Sequence, residues 1–179
     1  MTRSIATQYR TVWDRLGIPE SLIAERNLPI FELATELQLA EVSAGGVEHR
    51  LTPVAAAAWK ELKAAAYRDD VDIYVVSAFR SVERQAELIA RKLGAGQSLH
   101  ATLKILAPPG CSEHHTGRAV DLGSGRFRPL QSDFDASPAF AWLSAHAGRF
   151  GFTLSFPKDN AFGFVYEPWH WCFSEAGIP

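Results

Sequence analysis

The chain has 179 residues, 47% of them hydrophobic and 21% charged, with a formal net charge of −2. That length suits one domain with at most a small appendage, and that balance of apolar and charged residues excludes a disordered polypeptide. Near-neutral charge and the lack of any block of like charge exclude a protein that works by neutralising phosphates, so no nucleic-acid partner is expected.

No stretch approaches the ~18–20 consecutive apolar residues of a membrane span. The opening, "MTRSIATQYRTVWDRLG", carries charges where a secretory leader needs an apolar core. As it stands the chain reads as cytoplasmic, or as a periplasmic or extracellular form whose leader has been replaced by Met. Cys111 and Cys172 are too few for a disulfide framework.

In chain order, Ile5, Tyr9, Trp13 and Leu16 recur at helical spacing behind Ser4, a candidate N-cap, and Gly17 ends the run. "IPESLIAERNLP" and "IFELATELQLAE" have room for a further helical turn or two each. Residues 1–47 thus read as a helical extension, and "SAGG" at 43–46 as its joint to a domain over 48–179. Thr52 with Pro53 opens a helix running to about Tyr67, proline being suited to a first helical turn. "DIYVV" at 72–76 has the β-branched, apolar character of a buried strand. Ser81 caps "VERQAELIARKL", which Gly94 stops, and a loop-rich segment leads to Cys111. Ser137 and Pro138 start another helix, "AFAWLSAHAG". "FTLSF" at 152–156 and "FGFVYEPWHWCF" at 162–173 read as strands, with Pro168 limiting pairing. Helices and strands mix without βαβ alternation, which predicts an α+β fold: a small antiparallel sheet with flanking helices.

Chemistry concentrates in two segments. "SEHHTGRAVDLG" at 112–123 sets adjacent histidines near an aspartate in a glycine-rich turn, and "EPWHW" at 167–171 adds a glutamate three residues before another histidine. Zinc takes imidazole nitrogen and carboxylate oxygen, and a catalytic site keeps one position for water. His114, Asp121 and His170 would supply three ligands to one zinc ion, with Glu167 beside them as a base. Such a set is what metal-assisted hydrolysis requires.

"SEHHTGRAVD" resembles the S-x-H-x-x-G-x-A-x-D motif of the VanY-type D-alanyl-D-alanine carboxypeptidases, and "EPWHW" resembles their E-x-x-H motif. These belong with the lysostaphin-like and hedgehog-like zinc peptidases. "VVSAFRSVERQ", "LAPPG" and "AWLSAHAGRFGFTLSFP" are also similar to family segments, so the likeness runs from roughly residue 48 to 173. It implies zinc on His114, Asp121 and His170, Glu167 as general base, and Arg80 and Gln85 binding substrate and steadying the transition state. Ser112 is implied to line the pocket. Arg suits either a terminal carboxylate or an oxyanion, through its planar fork. Ala78-Phe79 stand where the family usually has Gly-Tyr, and Cys172-Phe173 follow where it often has Arg-Tyr. His115 is expected behind a ligand or exposed, and Cys111 and Cys172 either as thiols or, in an oxidising compartment, as a pair.

The expected activity is therefore a zinc carboxypeptidase that removes a terminal D-alanine from peptidoglycan stem peptides. An L,D-carboxypeptidase, a D-Ala-D-Ala dipeptidase or an endolysin-type peptidase would use the same machinery. A non-catalytic zinc-bearing binding module is a reading of another class, and a glutamate at position 167 weighs against it.

Overall fold

A computed structural model describes residues 5–125 and 127–177; Ser4, the candidate cap of the first helix, lies outside them. Helices α1 (Ile5–Leu16) and α2 (Glu20–Glu25) come first, then a hairpin of β1 (Gln38–Val42) and β2 (Glu48–Leu51). Helix α3 (Pro53–Arg68), β3 (Tyr74–Ser77), α4 (Val82–Gly94) and α5 (Leu99–Leu103) follow. A 3-10 turn (Glu113–Thr116) enters β4 (Ala119–Gly123), and α6 (Pro138–His146), β5 (Phe152–Leu154) and β6 (His170–Phe173) complete the chain. The main sheet runs β3-β4-β6-β5 with every pair antiparallel, as the α+β reading expects.

Local signals placed several elements directly. The Ser81 hydroxyl accepts the Arg84 N–H and the Ser137 hydroxyl accepts the Phe140 N–H, each relieving an unpaired donor of a first helical turn. Two stretches differ from their local reading. Residues 38–42 form a strand, and "SAGG" is the turn of the β1–β2 hairpin, closed by Gly46 N–H to Ser43 O. Distant partners decide this. The Glu41 carboxylate accepts from Trp59 Nε1, Lys63 Nζ and the Val75 N–H, which anchors β1 across α3 and β3. Within 162–173, only His170–Phe173 is strand. Pro168 has no N–H to give a ladder, and the backbone turns just before His170, whose N–H returns to Glu167 O.

Side chains alternate between the faces of a strand. Val120, Leu122, Trp171 and Phe173 point to one side of the sheet, where Trp59 and Leu62 of α3 and Leu143 of α6 close the main core. Asp121 and His170 therefore point to the other side. A second core joins the amino-terminal helices to the site loop: Tyr9, Trp13, Ile18, Ile23 and Leu28 pack with Ile89, Leu103 and Cys111. Trp13 Nε1 donates to Pro109 O at 2.7 Å and Tyr9 Oη to Phe31 O at 3.0 Å. Gly110 has φ +89°, and any Cβ there would strike the Tyr9 ring. Only glycine fits that turn.

Candidate metal centre and its cleft

The antiparallel register is what brings the two distant motifs together. Asp121 on β4 pairs with His170 on β6 and with Ser77 on β3, so neighbouring strands present their side chains to one spot. His114 reaches the same spot from the 3-10 turn before β4. Gly117 ends that turn at φ +64°, beyond easy reach of a residue with a Cβ, and its Cβ position is crowded by Leu37 and Ala34.

Each imidazole has one nitrogen committed to a fixed partner. His114 Nδ1–H donates to Ala78 O at 2.7 Å, which leaves Nε2 as the acceptor, 3.1 Å from Asp121 Oδ2. His170 Nε2 lies 2.9 Å from Glu113 Oε2, and its Nδ1 lies 3.0 Å from Asp121 Oδ1. His114, Asp121 and His170 offer ligand atoms within 4.8 Å of one another, all three buried. Around a tetrahedral ion with bonds of ~2.0–2.2 Å, neighbouring ligand atoms stand ~3.3–3.6 Å apart. The two histidine nitrogens stand near that spacing from the Asp121 carboxylate, His114 Nε2 at 3.1 Å from Oδ2 and His170 Nδ1 at 3.0 Å from Oδ1, and two imidazoles with one carboxylate are a zinc-type donor set.

Electrostatics sort the groups. Burial pushes the His114 imidazole down to about 4, against the pull of Asp121. Burial would also lower His170, but hydrogen bonds to Asp121 and Glu113 hold it up at about 10. Burial alone would raise Asp121; the two histidines instead keep it far below the ordinary carboxylate range. Burial pushes Glu167 up to about 7, with His170 opposing and Asp121 adding to the rise. Glu167 Oε2 stands 3.9 Å from His170 Nδ1, on the side that faces the other two donors. A carboxyl so placed is poised to exchange protons near neutral pH.

Arg80 closes the site from the loop between β3 and α4. Its N–H donates to His114 O, Nη2 lies 2.8 Å from Ser77 Oγ and 3.5 Å from Asp121 Oδ2, and Nη1 donates to Gln85 Oε1 at 2.9 Å. Gln85 is fully buried, and its Nε2 donates to Ala107 O at 2.7 Å. Both ends of that amide are therefore engaged by protein, and one of them holds Arg80. His115 is also buried: Nε2 accepts the Gly110 N–H and Nδ1–H donates to Arg80 O at 2.6 Å. It sits behind the site and ties the Arg80 backbone to the Gly110 turn. Ser112 is buried and lines the cleft.

The cleft has a volume of about 400 Å³ and is lined by His114, Asp121 and His170 together with Glu113, Glu167, Arg80, Gln85 and Ser112, with Leu106, Phe156, Val165 and Trp169 as apolar wall. Trp171 faces the core and Trp169 borders the cleft. Cys111 and Cys172 are free thiols; burial pushes Cys111 up to about 12 and raises Cys172 also. Sequence reasoning passed over two groups here. Glu113 occupies the variable position of the first motif, and the hydroxyl of Ser77 sits at a strand end. Only the adjacency of Glu113 to His114 hinted at a role.

The profile of the VanY D-alanyl-D-alanine carboxypeptidases matches residues 48–176. The bifunctional D-Ala-D-Ala dipeptidase and D-Ala-D-Ala carboxypeptidase VanXYC of Enterococcus gallinarum is 32% identical over 134 residues, covering 72% of this chain and 68% of its own. The chain spans only 43% of a Bacillus subtilis relative and 52% of a D-alanyl-D-alanine carboxypeptidase of Enterococcus faecalis. Among solved structures, the LD-carboxypeptidase LdcB aligns with a TM-score of 0.72 at 26% identity, covering 83% of this chain and 73% of that one. A VanY D,D-pentapeptidase variant in complex with Zn(II) aligns at 0.63 and 28% identity, covering 81% and 82%. Among the described residues no helix is long and apolar enough to cross a membrane. Because the matched region takes in both donor-bearing segments and the sheet that joins them, the chain belongs to the VanY D-alanyl-D-alanine carboxypeptidase family.

Proposed function

We propose that this protein is a zinc-dependent carboxypeptidase that removes a terminal D-alanine from peptidoglycan stem peptides. The observation that carries the reading is the convergence of His114, Asp121 and His170, with Glu167 and Arg80 on the same cleft. Zinc, when bound by those three residues, supplies Lewis acidity, drawing the pKa of water toward ~7 and neutralising charge on the scissile carbonyl oxygen. Glu167 takes a proton from the attacking water and returns it to the amine that leaves when the C–N bond breaks. Arg80, held in place by Gln85, Ser77 and the His115–carbonyl contact, donates to the oxygen that gathers negative charge. Ser112 contributes its hydroxyl to substrate on the cleft wall. Gln85 serves the substrate through Arg80.

An L,D-carboxypeptidase is the second reading, favoured by the TM-score of 0.72 to LdcB. One experiment separates the two. Zinc-loaded protein is incubated with defined tri-, tetra- and pentapeptide stems, and the released amino acid is identified by mass and by chirality of the cleaved bond. Trimming of the pentapeptide to a tetrapeptide is expected; trimming of only the tetrapeptide assigns L,D activity, and an intact set of stems overturns both readings.

Zinc affinity should rise with pH. In the metal-free protein His170 keeps its second proton up to about 10, and a ligand nitrogen must lose it, so binding releases a proton. The logarithm of the association constant is expected to climb by about one unit per pH unit between roughly pH 8 and 9, and more steeply below about 7, where Glu167 also releases a proton to the cation's field. Near pH 4 it should steepen further, since His114 also gains a proton near about 4. Competition against a chromophoric chelator at fixed ionic strength reads the slope, and a flat profile contradicts the assignment of His170.

A further inference from the structure

We infer that Glu113 is a positioning residue for the metal centre: it accepts a hydrogen bond from His170 Nε2–H and so turns the Nδ1 lone pair toward His114 and Asp121. This inference rests on the ligand set proposed above. Two glutamates flank the His170 ring, and geometry gives them different work. Glu167 Oε2 is 3.9 Å from Nδ1, on the donor side, whereas Glu113 Oε2 is 2.9 Å from Nε2, on the far side. A carboxylate touching the nitrogen that does not face the donors cannot relay a proton to the scissile bond, but it fixes the tautomer and the ring plane. Metal-ligating imidazoles characteristically donate their other N–H to such an acceptor, and losing it weakens metal binding by ~10–100-fold.

Glu113 is itself held. Its side chain is 21% exposed, and the 3-10 turn that carries it also carries His114. One rigid turn therefore supplies a ligand and the brace of a second ligand. Asp121 faces both imidazoles from β4, so the three strands and the turn fix every donor before an ion arrives. His114 has its own acceptor in Ala78 O, a backbone group that no side-chain change removes. His170 depends on a side chain, which makes Glu113 the brace that mutation can test.

The full chain is compared as wild type, Glu113→Ala, Glu113→Gln and Glu167→Ala. Zinc dissociation constants come from chelator competition, and the His170 tautomer in the zinc-loaded state comes from long-range 1H–15N NMR correlation. The Ala variant is expected to bind zinc ~10–100-fold more weakly. It should also lose the deshielded Nε2–H signal of His170 while that of His114 Nδ1–H stays. The Gln variant, whose amide oxygen still accepts, should recover most of the affinity. Glu167→Ala should bind zinc as wild type does. Glu113→Ala affinity within twofold of wild type, with the Nε2–H signal unchanged, overturns the inference. So does a Gln variant as weak as Ala. Loss of the His114 signal along with that of His170 overturns it too, because a merely structural role spreads beyond one ring. A wild type that binds no zinc overturns the ligand set itself, and this inference with it.

Discussion

Glu167→Ala should lower kcat on a stem peptide by ~10²–10⁴-fold, the range that a positioned acid–base group contributes, while one zinc per chain is retained. The reason is positional. The Glu167 carboxylate faces the donor cluster, 3.9 Å from His170 Nδ1, so on the proposed assignment removing it takes away a proton carrier and no ligand. Burial has already raised its carboxyl to about 7 in the metal-free protein. A cation beside it favours the ionised form and draws that value down. The acid limb of the kcat/KM profile should therefore vanish in the variant, whatever residual rate remains. Steady-state kinetics with elemental analysis on the same preparations decide the matter. Turnover near the wild-type rate would assign the base elsewhere.

His114→Ala should abolish both zinc binding and hydrolysis, a larger effect than any other single change considered. It removes one of the three donors proposed for zinc, and the loss should exceed the ~10–100-fold that accompanies loss of an outer partner. The same change leaves a buried gap beside Asp121, whose carboxylate depends on His114 and His170. Asp121→Asn is therefore the companion variant, because it keeps side-chain size while withdrawing the anionic ligand. Both should remain folded by circular dichroism and both should be inactive. If either binds zinc with wild-type affinity, the residue it alters is not a ligand.

What the sequence revealed followed the range of the interactions. Helix starts at Ser81 and Ser137 were legible because the capping hydroxyl and the N–H it accepts are three residues apart. The α+β class was legible for a similar reason, since element types are written in local periodicity. The β1 strand was not, because its deciding contacts run from Glu41 to Trp59, Lys63 and Val75. Read locally, residues 38–42 are adequate helix formers. The tight turn before β6 hid likewise within an apolar run that looked like one long strand.

The candidate site divides the same way. His114, Asp121, Glu167 and His170 stood out as residue types in two short motifs, yet what unites them is the pairing of Asp121 with His170 across β4 and β6. Register is a property of the folded sheet. Gln85 illustrates a finer limit: its sequence position offers it to substrate, whereas its amide is spent on Arg80 and Ala107. His115 and Glu113 flank the same ligand and do opposite jobs, one tying down the Arg80 backbone and the other facing His170. Nothing in the tetrapeptide "SEHH" distinguishes them, because the difference lies in what each side chain meets in the folded chain, loop backbone at Arg80 and Gly110 for His115 and β6 for Glu113.

X-ray absorption at the zinc edge, on protein loaded with one equivalent of the metal, tests the central claim most directly. The account predicts a shell of nitrogen and oxygen at ~2.0–2.2 Å with the outer-shell scattering of two imidazoles, and no imidazole scattering around zinc added to His114→Ala, which no longer holds the ion. A sulfur scatterer at ~2.3 Å, or an all-oxygen shell unchanged by that substitution, would contradict it.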